Sequence, residues 1–297
     1  MNRMRTWTAA AALGAVAAGG ALSAQGRGVP SEVAFFSSRS GNNEIYVMSW
    51  DGRAPLQITD HSASDVDPAI SPNGRDIAFT SNRTGNNDIH VVGSAGGAAV
   101  NLTGNLANDG WARWSPNGRH IVFHTNRDGN FEIYVMNADG SSPTRLTNYP
   151  GIDQFPDWSP DGREIVFRRD TDIYVLEVAT GGLRRLTATP PLNQMAAWSP
   201  NGRQLAFMSA RDGYPSVFVM NADGSGPTNL TPKAPGDADA DWTSRAPSWS
   251  SNGRHIFFMS FRPSTGLDTE IFVMNADGSG LTRLTNAIGV DGSPRGR

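Results

Sequence analysis

Residues 121–141 read Ile-Val-Phe-His-Thr-Asn-Arg-Asp-Gly-Asn-Phe-Glu-Ile-Tyr-Val-Met-Asn-Ala-Asp-Gly-Ser. Two short β-prone runs flank an Asp-Gly-Asn reversal, and a second reversal, Asn-Ala-Asp-Gly, follows; this is the signature of antiparallel strands joined by tight turns. Related segments begin at Val33, Ile77, Ile165, Leu205 and Ile256, making six copies. Each copy closes on a Leu-Thr or Ile-Thr pair, at Thr59, Thr103, Thr147, Thr187, Thr231 and Thr285, in steps of 44, 44, 40, 44 and 54 residues. A period in the forties is that of a four-stranded propeller blade.

Within the third copy, strand a lies around Arg113-Trp114 and ends in the Ser115-Pro116-Asn117-Gly118 turn. Strand b follows over Ile121–Thr125, strand c over Glu132–Met136, and strand d near Arg145–Thr147. The Trp of strand a recurs at Trp158, Trp198 and Trp249, and the Phe of strand b at Phe35, Phe79, Phe123, Phe167, Phe207 and Phe258. Residues repeated without regard to any one site read as packing between blades. The first copy lacks a strand a. Asp291-Gly-Ser-Pro294 lies at the right interval beyond Thr285 to supply it, so the C-terminal tail is expected to pair with the N-terminal blade and close the ring, removing the open sheet edges. Gly296 stands where a Trp is usual, which predicts a weak seal. The fold expected is therefore all-β: a six-bladed propeller of four-stranded antiparallel blades over residues 27–297.

A net charge of −3 carries no basic excess of the kind that gathers phosphates, so nucleic acid is not an expected partner. The absence of cysteine excludes disulfides, thiolate nucleophiles and Cys-based zinc sites. Arg3 and Arg5 precede a run of Ala, Gly, Leu and Val from Trp7 to Leu22, followed by small residues. Residues 1–26 thus read as a secretory signal peptide, cut after Ala24 or Gly26. The mature chain is expected to be a periplasmic or secreted monomer without a membrane span.

The series Trp-Ser-Pro-Asn/Asp-Gly-Arg, Ile-x-Phe-x-Ser-x-Arg, Glu-Ile-Tyr-Val-Met-Asn-Ala-Asp-Gly and Leu-Thr, repeated over residues 31–297, resembles the C-terminal propeller repeat of the TolB family. The resemblance implies a six-bladed propeller working in the cell envelope by binding a protein partner. Family members carry an α/β domain before the propeller, and only a few residues separate the leader from the first blade here.

In such a blade the d-to-a connections and b-to-c loops share one face, while the near-identical turns occupy the other. Variable loops on a rigid scaffold are where binding is usually built, so the loop face is the candidate interaction surface. Two charged positions recur on it. Asp65, Asp109, Asp153, Asn193 and Asp291 precede strand a, and Arg39, Arg83, Arg127, Arg211 and Arg262 follow strand b. They form either a ring of bridges that fix the loops or a polar ring that meets a ligand. The fourth blade has a shortened b-to-c loop, which removes the Arg position and leaves a notch. The sixth has a lengthened one, together with an insertion between Thr231 and Pro247, which makes a ridge bearing Trp242. Within the insertion, Asp237, Asp239 and Asp241 can turn three oxygens toward one hard cation, a candidate calcium site whose alternative is a solvated acidic loop. Trp242 at the sixth position excludes an EF-hand.

No Gly-x-Ser-x-Gly elbow is present, and no recognisable catalytic motif replaces it. His124 is the histidine with the least evident structural reason. The expected function is a non-catalytic exported scaffold binding a protein or cell-envelope component. The alternatives are a metal-assisted hydrolase or lyase with its site at the central channel, and a glycan-binding module using Trp111, Tyr149, Phe155, Tyr214 and Trp242.

Overall fold

A computed structural model describes residues 32–188, 192–233, 243–261 and 268–296, and within them twenty-four strands form six four-stranded antiparallel sheets. Blade 1 comprises β24 (Asp291–Gly296), β1 (Glu32–Ser37), β2 (Glu44–Ser49) and β3 (Leu56–Gln57). Blade 2 runs β4 (Asp65–Ile70), β5 (Asp76–Ser81), β6 (Asp88–Gly93) and β7 (Val100–Asn101). Blade 3 runs β8 (Asp109–Trp114), β9 (His120–Thr125), β10 (Glu132–Asn137) and β11 (Thr144–Arg145). Blade 4 runs β12 (Asp153–Trp158), β13 (Glu164–Arg169), β14 (Asp172–Glu177) and β15 (Leu183–Arg185). Blade 5 runs β16 (Asn193–Trp198), β17 (Gln204–Ser209), β18 (Ser216–Asn221) and β19 (Thr228–Asn229). Blade 6 runs β20 (Thr243–Trp249), β21 (His255–Phe261), β22 (Thr269–Asn275) and β23 (Thr282–Arg283).

The core lies between blades rather than inside one. On β9 the period of two sends Ile121 and Phe123 toward blade 2, where they meet Ala78 and Ile89. Val122 faces blade 4 and meets Trp158, Ile165 and Phe167. Both faces of each sheet are therefore apolar, and the recurrent Trp sits in these layers as expected. Trp114 Nε1 donates to Ala69 O at 3.1 Å and Trp249 Nε1 to Ala197 O at 3.2 Å, each a bond to the preceding blade.

The turn chemistry explains why the repeat is so uniform. In Ser115-Pro116-Asn117-Gly118, Ser115 Oγ accepts the His120 N–H at 3.0 Å while Asn117 Oδ1 accepts from Ser115 Oγ and from Arg119 N. Gly140 of the Asn-Ala-Asp-Gly turn has φ of 87°, and a Cβ there would stand 2.6 Å from Leu102 O of blade 2. That glycine is demanded both by its own backbone and by its neighbour blade.

The tail closes the ring. β24 pairs with β1 from Val33↔Gly296 to Ser37↔Asp291, with Arg39 Nη2 2.8 Å from Asp291 Oδ2 and Val290 N donating to Ser38 Oγ at 2.7 Å. A Cβ on Gly296 would fall 2.8 Å from both Trp249 O and the Phe257 ring. The missing Trp is thus a steric requirement of the seam, and the ion pair with the six-residue strand takes over the anchoring.

Candidate functional site

The expected Asp–Arg pairs are built inside blades 1 to 5, while blade 6 has Ser244 in the place of the acid. Arg83 Nη2 lies 2.7 Å from Asp65 Oδ2, and Arg127 Nη2 lies 3.2 Å from Asp109 Oδ1. Arg211 Nη2 donates to Asn193 Oδ1 at 3.3 Å. The acid or amide is at most 1% exposed in each case, while the arginine side chains of the Arg39, Arg83 and Arg127 bridges keep 16–22% exposure. Each guanidinium also covers the strand-b Phe, as Arg127 does over Phe123 and Tyr134 at 5.5 and 4.9 Å. What the rim presents outward is therefore the guanidinium edge, with the carboxylate held beneath it. Arg262, Trp242, Asp237, Asp239 and Asp241 lie outside the described residues, as do residues 1–31.

The short loop of blade 4 deletes the usual Arg position but not the bridge, because Arg169 at the end of β13 binds Asp153 through both Nε and Nη2 at 2.8 and 2.7 Å. The two-toothed geometry needs no loop, since Arg169 is already opposite Asp153 in the β12–β13 register. The notch itself is braced by Asp170, which accepts from Tyr149 Oη at 2.7 Å and from Ile152 N at 3.2 Å.

A second ring was not recognised in the sequence. Glu132 is fully buried and accepts from Thr147 Oγ1 at 2.6 Å, Tyr149 N at 2.7 Å, Asn130 Nδ2 at 3.0 Å and Arg145 Nη2 at 2.9 Å. Burial by itself raises its pKa, but the hydrogen bonds outweigh that and hold the carboxyl below the ordinary range. Glu44, Asp88, Asp172 and Glu270 bond the equivalent Thr in their own blades. The signal was the recurrent Leu-Thr, whose hydroxyl ties strand c to the d-to-a loop.

The channel is where symmetry fails. Each innermost strand carries a bulge with a positive-φ residue at its third or fourth position: Asp67, Trp111, Phe155, Met195, Ala246 and Ser293, all between 47° and 57°. A non-glycine residue there is strained, and six in register show a device of the fold that aims one side chain per blade at the axis. Pro68, Pro156, Pro247 and Pro294 follow directly, and proline within a strand was the available clue.

Trp111 of blade 3 and Phe155 of the neighbouring blade 4 meet edge to face, 4.9 Å between ring centroids. Arg168 lies over Phe155 on the loop side, bonded to Gln194 and Gln154 at 2.8 and 2.6 Å. Arg113 lies over Trp111 at 4.5 Å and Arg295 at 5.6 Å; both belong to the mouth on the turn face, with Asp157. His124 is explained here. Burial and the charges of Arg168 and Arg113 push its pKa down to about 3, and its neutral Nδ1 accepts the Phe155 N–H at 3.3 Å, tying blade 3 to blade 4. Among the described residues no three His, Asp or Glu side chains converge as metal ligands would.

Burial raises the pKa of Asp67 and of Asp157, outweighing the Ser293 hydrogen bond on Asp67 and the guanidinium charges on both. An acid raised in the fold lends stability that is complete below its unfolded value and is lost as pH rises through its folded value. Asp67→Asn is accordingly expected to be more stable than the parent at about pH 7, with the difference vanishing below the ordinary carboxylate range. Urea unfolding at the two pH values checks this, and a variant weaker at neutral pH would mean that attraction to Arg113 and Arg295 dominates.

Comparison with known proteins agrees with the architecture. Tol-Pal system protein TolB of Syntrophotalea carbinolica is 40% identical over 47 residues, 16% of this chain and 11% of that protein, so the match spans a small part of the relative's length. TolB from Acinetobacter baumannii superimposes with a TM-score of 0.77 at 23% identity, over 90% of this chain and 66% of the other. A TolB homologue from Agrobacterium tumefaciens, described as putative, gives 0.71 at 23% identity over 89% and 91%. The sequence profile described as TolB beta propeller domain matches residues 19–110 and 104–172, more than half of the chain. With its six blades, its repeat and that match, this chain belongs to the TolB beta propeller domain family.

Proposed function

We propose that this protein is a non-catalytic exported scaffold that binds a protein or cell-envelope partner through its loop face, with the partner's contacting segment acidic. The observation that carries the reading is the loop-side channel mouth. Arg168 stands there with its Nε buried and unbonded, and Arg245 stands there exposed with no ion-pair partner among the described residues. The partly exposed guanidinium edges of Arg39, Arg83, Arg127 and Arg169, with Arg211, surround that mouth. Arginines stacked on aromatic rings are pre-ordered, which lowers the entropy cost of engaging a carboxylate. No helix among the described residues is long and apolar enough to cross a membrane. Family membership supports a binding role, since the named relatives are components of the Tol-Pal system.

The test is capture from envelope extracts by the mature protein, beside the double variant Arg168→Gln/Arg245→Glu. We expect recovery of the specific partner to fall at least about tenfold, with the affinity of the parent weakening as salt rises. Equal recovery by parent and variant would remove the loop-side mouth from the reading.

A further inference from the structure

The opposite mouth of the channel carries a different chemistry. Counted from the residue that starts each innermost strand at the level of Asp65, the fifth position supplies Arg295, Ala69, Arg113, Asp157, Ala197 and Ser248 from blades 1 to 6. One layer deeper, Asp67 of blade 2 lies between the blades that carry the two arginines, held by Ser293 Oγ at 2.7 Å. Arg113 is 4% exposed, and its one hydrogen bond runs from Nη1 to the neighbouring Ala112 O at 2.6 Å. Its Nε and Nη2 are buried with no partner among the described residues. Leaving such donors unmet is costly, and more so for a charged group.

The nearby carboxylates do not meet them. No ion pair joins Arg113 or Arg295 to Asp67 or Asp157, although the four groups feel one another's charge. Asp157 instead accepts the Trp198 N–H at 3.1 Å. A cavity of about 270 Å³ opening on the turn face is lined by Arg113, Arg295, Asp157 and Ser248, and Asp67 is not part of that lining. Two cations and one anion line this cavity, with the second anion, Asp67, one layer deeper, so the mouth is dipolar in detail. A simple anion entering it gains from the guanidiniums and is repelled by the carboxylates. A molecule with a carboxylate at one end and an ammonium at the other satisfies both.

We propose that the turn-face mouth of the channel is a binding site for a small zwitterion of the α-amino-acid type, its carboxylate on Arg113 and Arg295 and its ammonium on Asp157. The indole of Trp111 beneath the guanidiniums holds them in place, and Ser248 supplies a neutral polar wall on the blade opposite Arg113. The site is on the far side of the ring from the loop face and stands whether or not the partner-binding reading does.

Calorimetric titration of the mature protein with glycine, L-alanine and L-glutamine, beside acetate and methylammonium as half-ligands, tests it. At least one amino acid is expected to bind saturably and at least about tenfold more tightly than either half-ligand. Arg113→Met should weaken that amino acid tenfold or more. Asp157→Asn keeps an acceptor for Trp198 N but removes the negative charge, so amino-acid binding should fall while acetate binding rises. Acetate matching the amino acids on the parent protein would overturn the proposal in favour of a plain oxyanion site, and an absence of saturable heat with all five would overturn it altogether. The parent titrations stand even if Arg113→Met fails to fold.

Discussion

Deleting residues 291–297 is expected to abolish cooperative folding at ordinary temperature, a larger effect than any single substitution in this chain. The deletion removes all of β24, and with it the ladder on β1, the Asp291 partner of Arg39 and the Ser293 hydroxyl bond to Asp67. It also uncovers the edge of β1, whose Val33, Ala34 and Phe35 are fully buried. Losing the charge-assisted bond between Asp291 and the partly exposed Arg39 costs about 1.5–3 kcal/mol, and the uncovered apolar layer adds about 1.5–3 kcal/mol for each fully buried side chain it exposes. The net stability of a whole domain is about 5–15 kcal/mol, so the loss is of the same order as the total. A truncated protein with the parent's melting temperature would show that the seam contributes nothing. Exposed β1 also offers an unpaired edge, so light scattering should report association of the truncated chain.

The second large effect is expected at Glu132. Glu132→Ala leaves Arg145 without its buried partner and removes the acceptor for Thr147 Oγ1, Tyr149 N and Asn130 Nδ2 together. Breaking a buried ionic network in this way costs about 3–5 kcal/mol. Thr147→Val takes away the hydroxyl bond to the same carboxylate and the acceptor of Ile133 N, and should cost about 1–3 kcal/mol. The ratio between the two, measured by urea unfolding at constant m, is the informative quantity. A Glu132→Ala loss as small as that of Thr147→Val would mean that the carboxylate is a spectator and that Thr147 alone ties down the loop. Because Glu132 is held below the ordinary carboxylate range, its contribution is present above the unfolded pKa and fades as pH falls through the folded one. Glu270 has the same Thr partner but is raised, burial leading and the nearby Asp291 adding to it. The blades are therefore not equivalent in acid, and blade 6 should tolerate low pH better than blade 3.

How much of this was legible follows from what repeats. Strand order, the turn chemistry, the inter-blade Trp and Phe, the Asp–Arg ring and the closing tail all recur at fixed offsets, and a period measured along the chain locates them without coordinates. The Arg169 bridge escaped because it moves the arginine two places while keeping the contact, which only the β12–β13 register reveals. The Glu132–Thr147 clamp escaped for a different reason: both residues were visible as repeats, but their partnership crosses from strand c to the end of strand d.

Residues 121–141 determined by themselves that the chain builds four-stranded blades, because local alternation and turn residues act over a few residues and all six copies carry the same pattern. Tertiary structure alone decided what meets at the axis. Asp67, Trp111, Arg113, Phe155, Asp157, Ser293 and Arg295 come from four blades and occupy positions where the repeat varies freely. The repeat spacing gives them equivalent places in their own blades, but only ring closure brings together residues as far apart as Asp67 and Ser293. The blades are a property of the sequence, and the channel is a property of the ring.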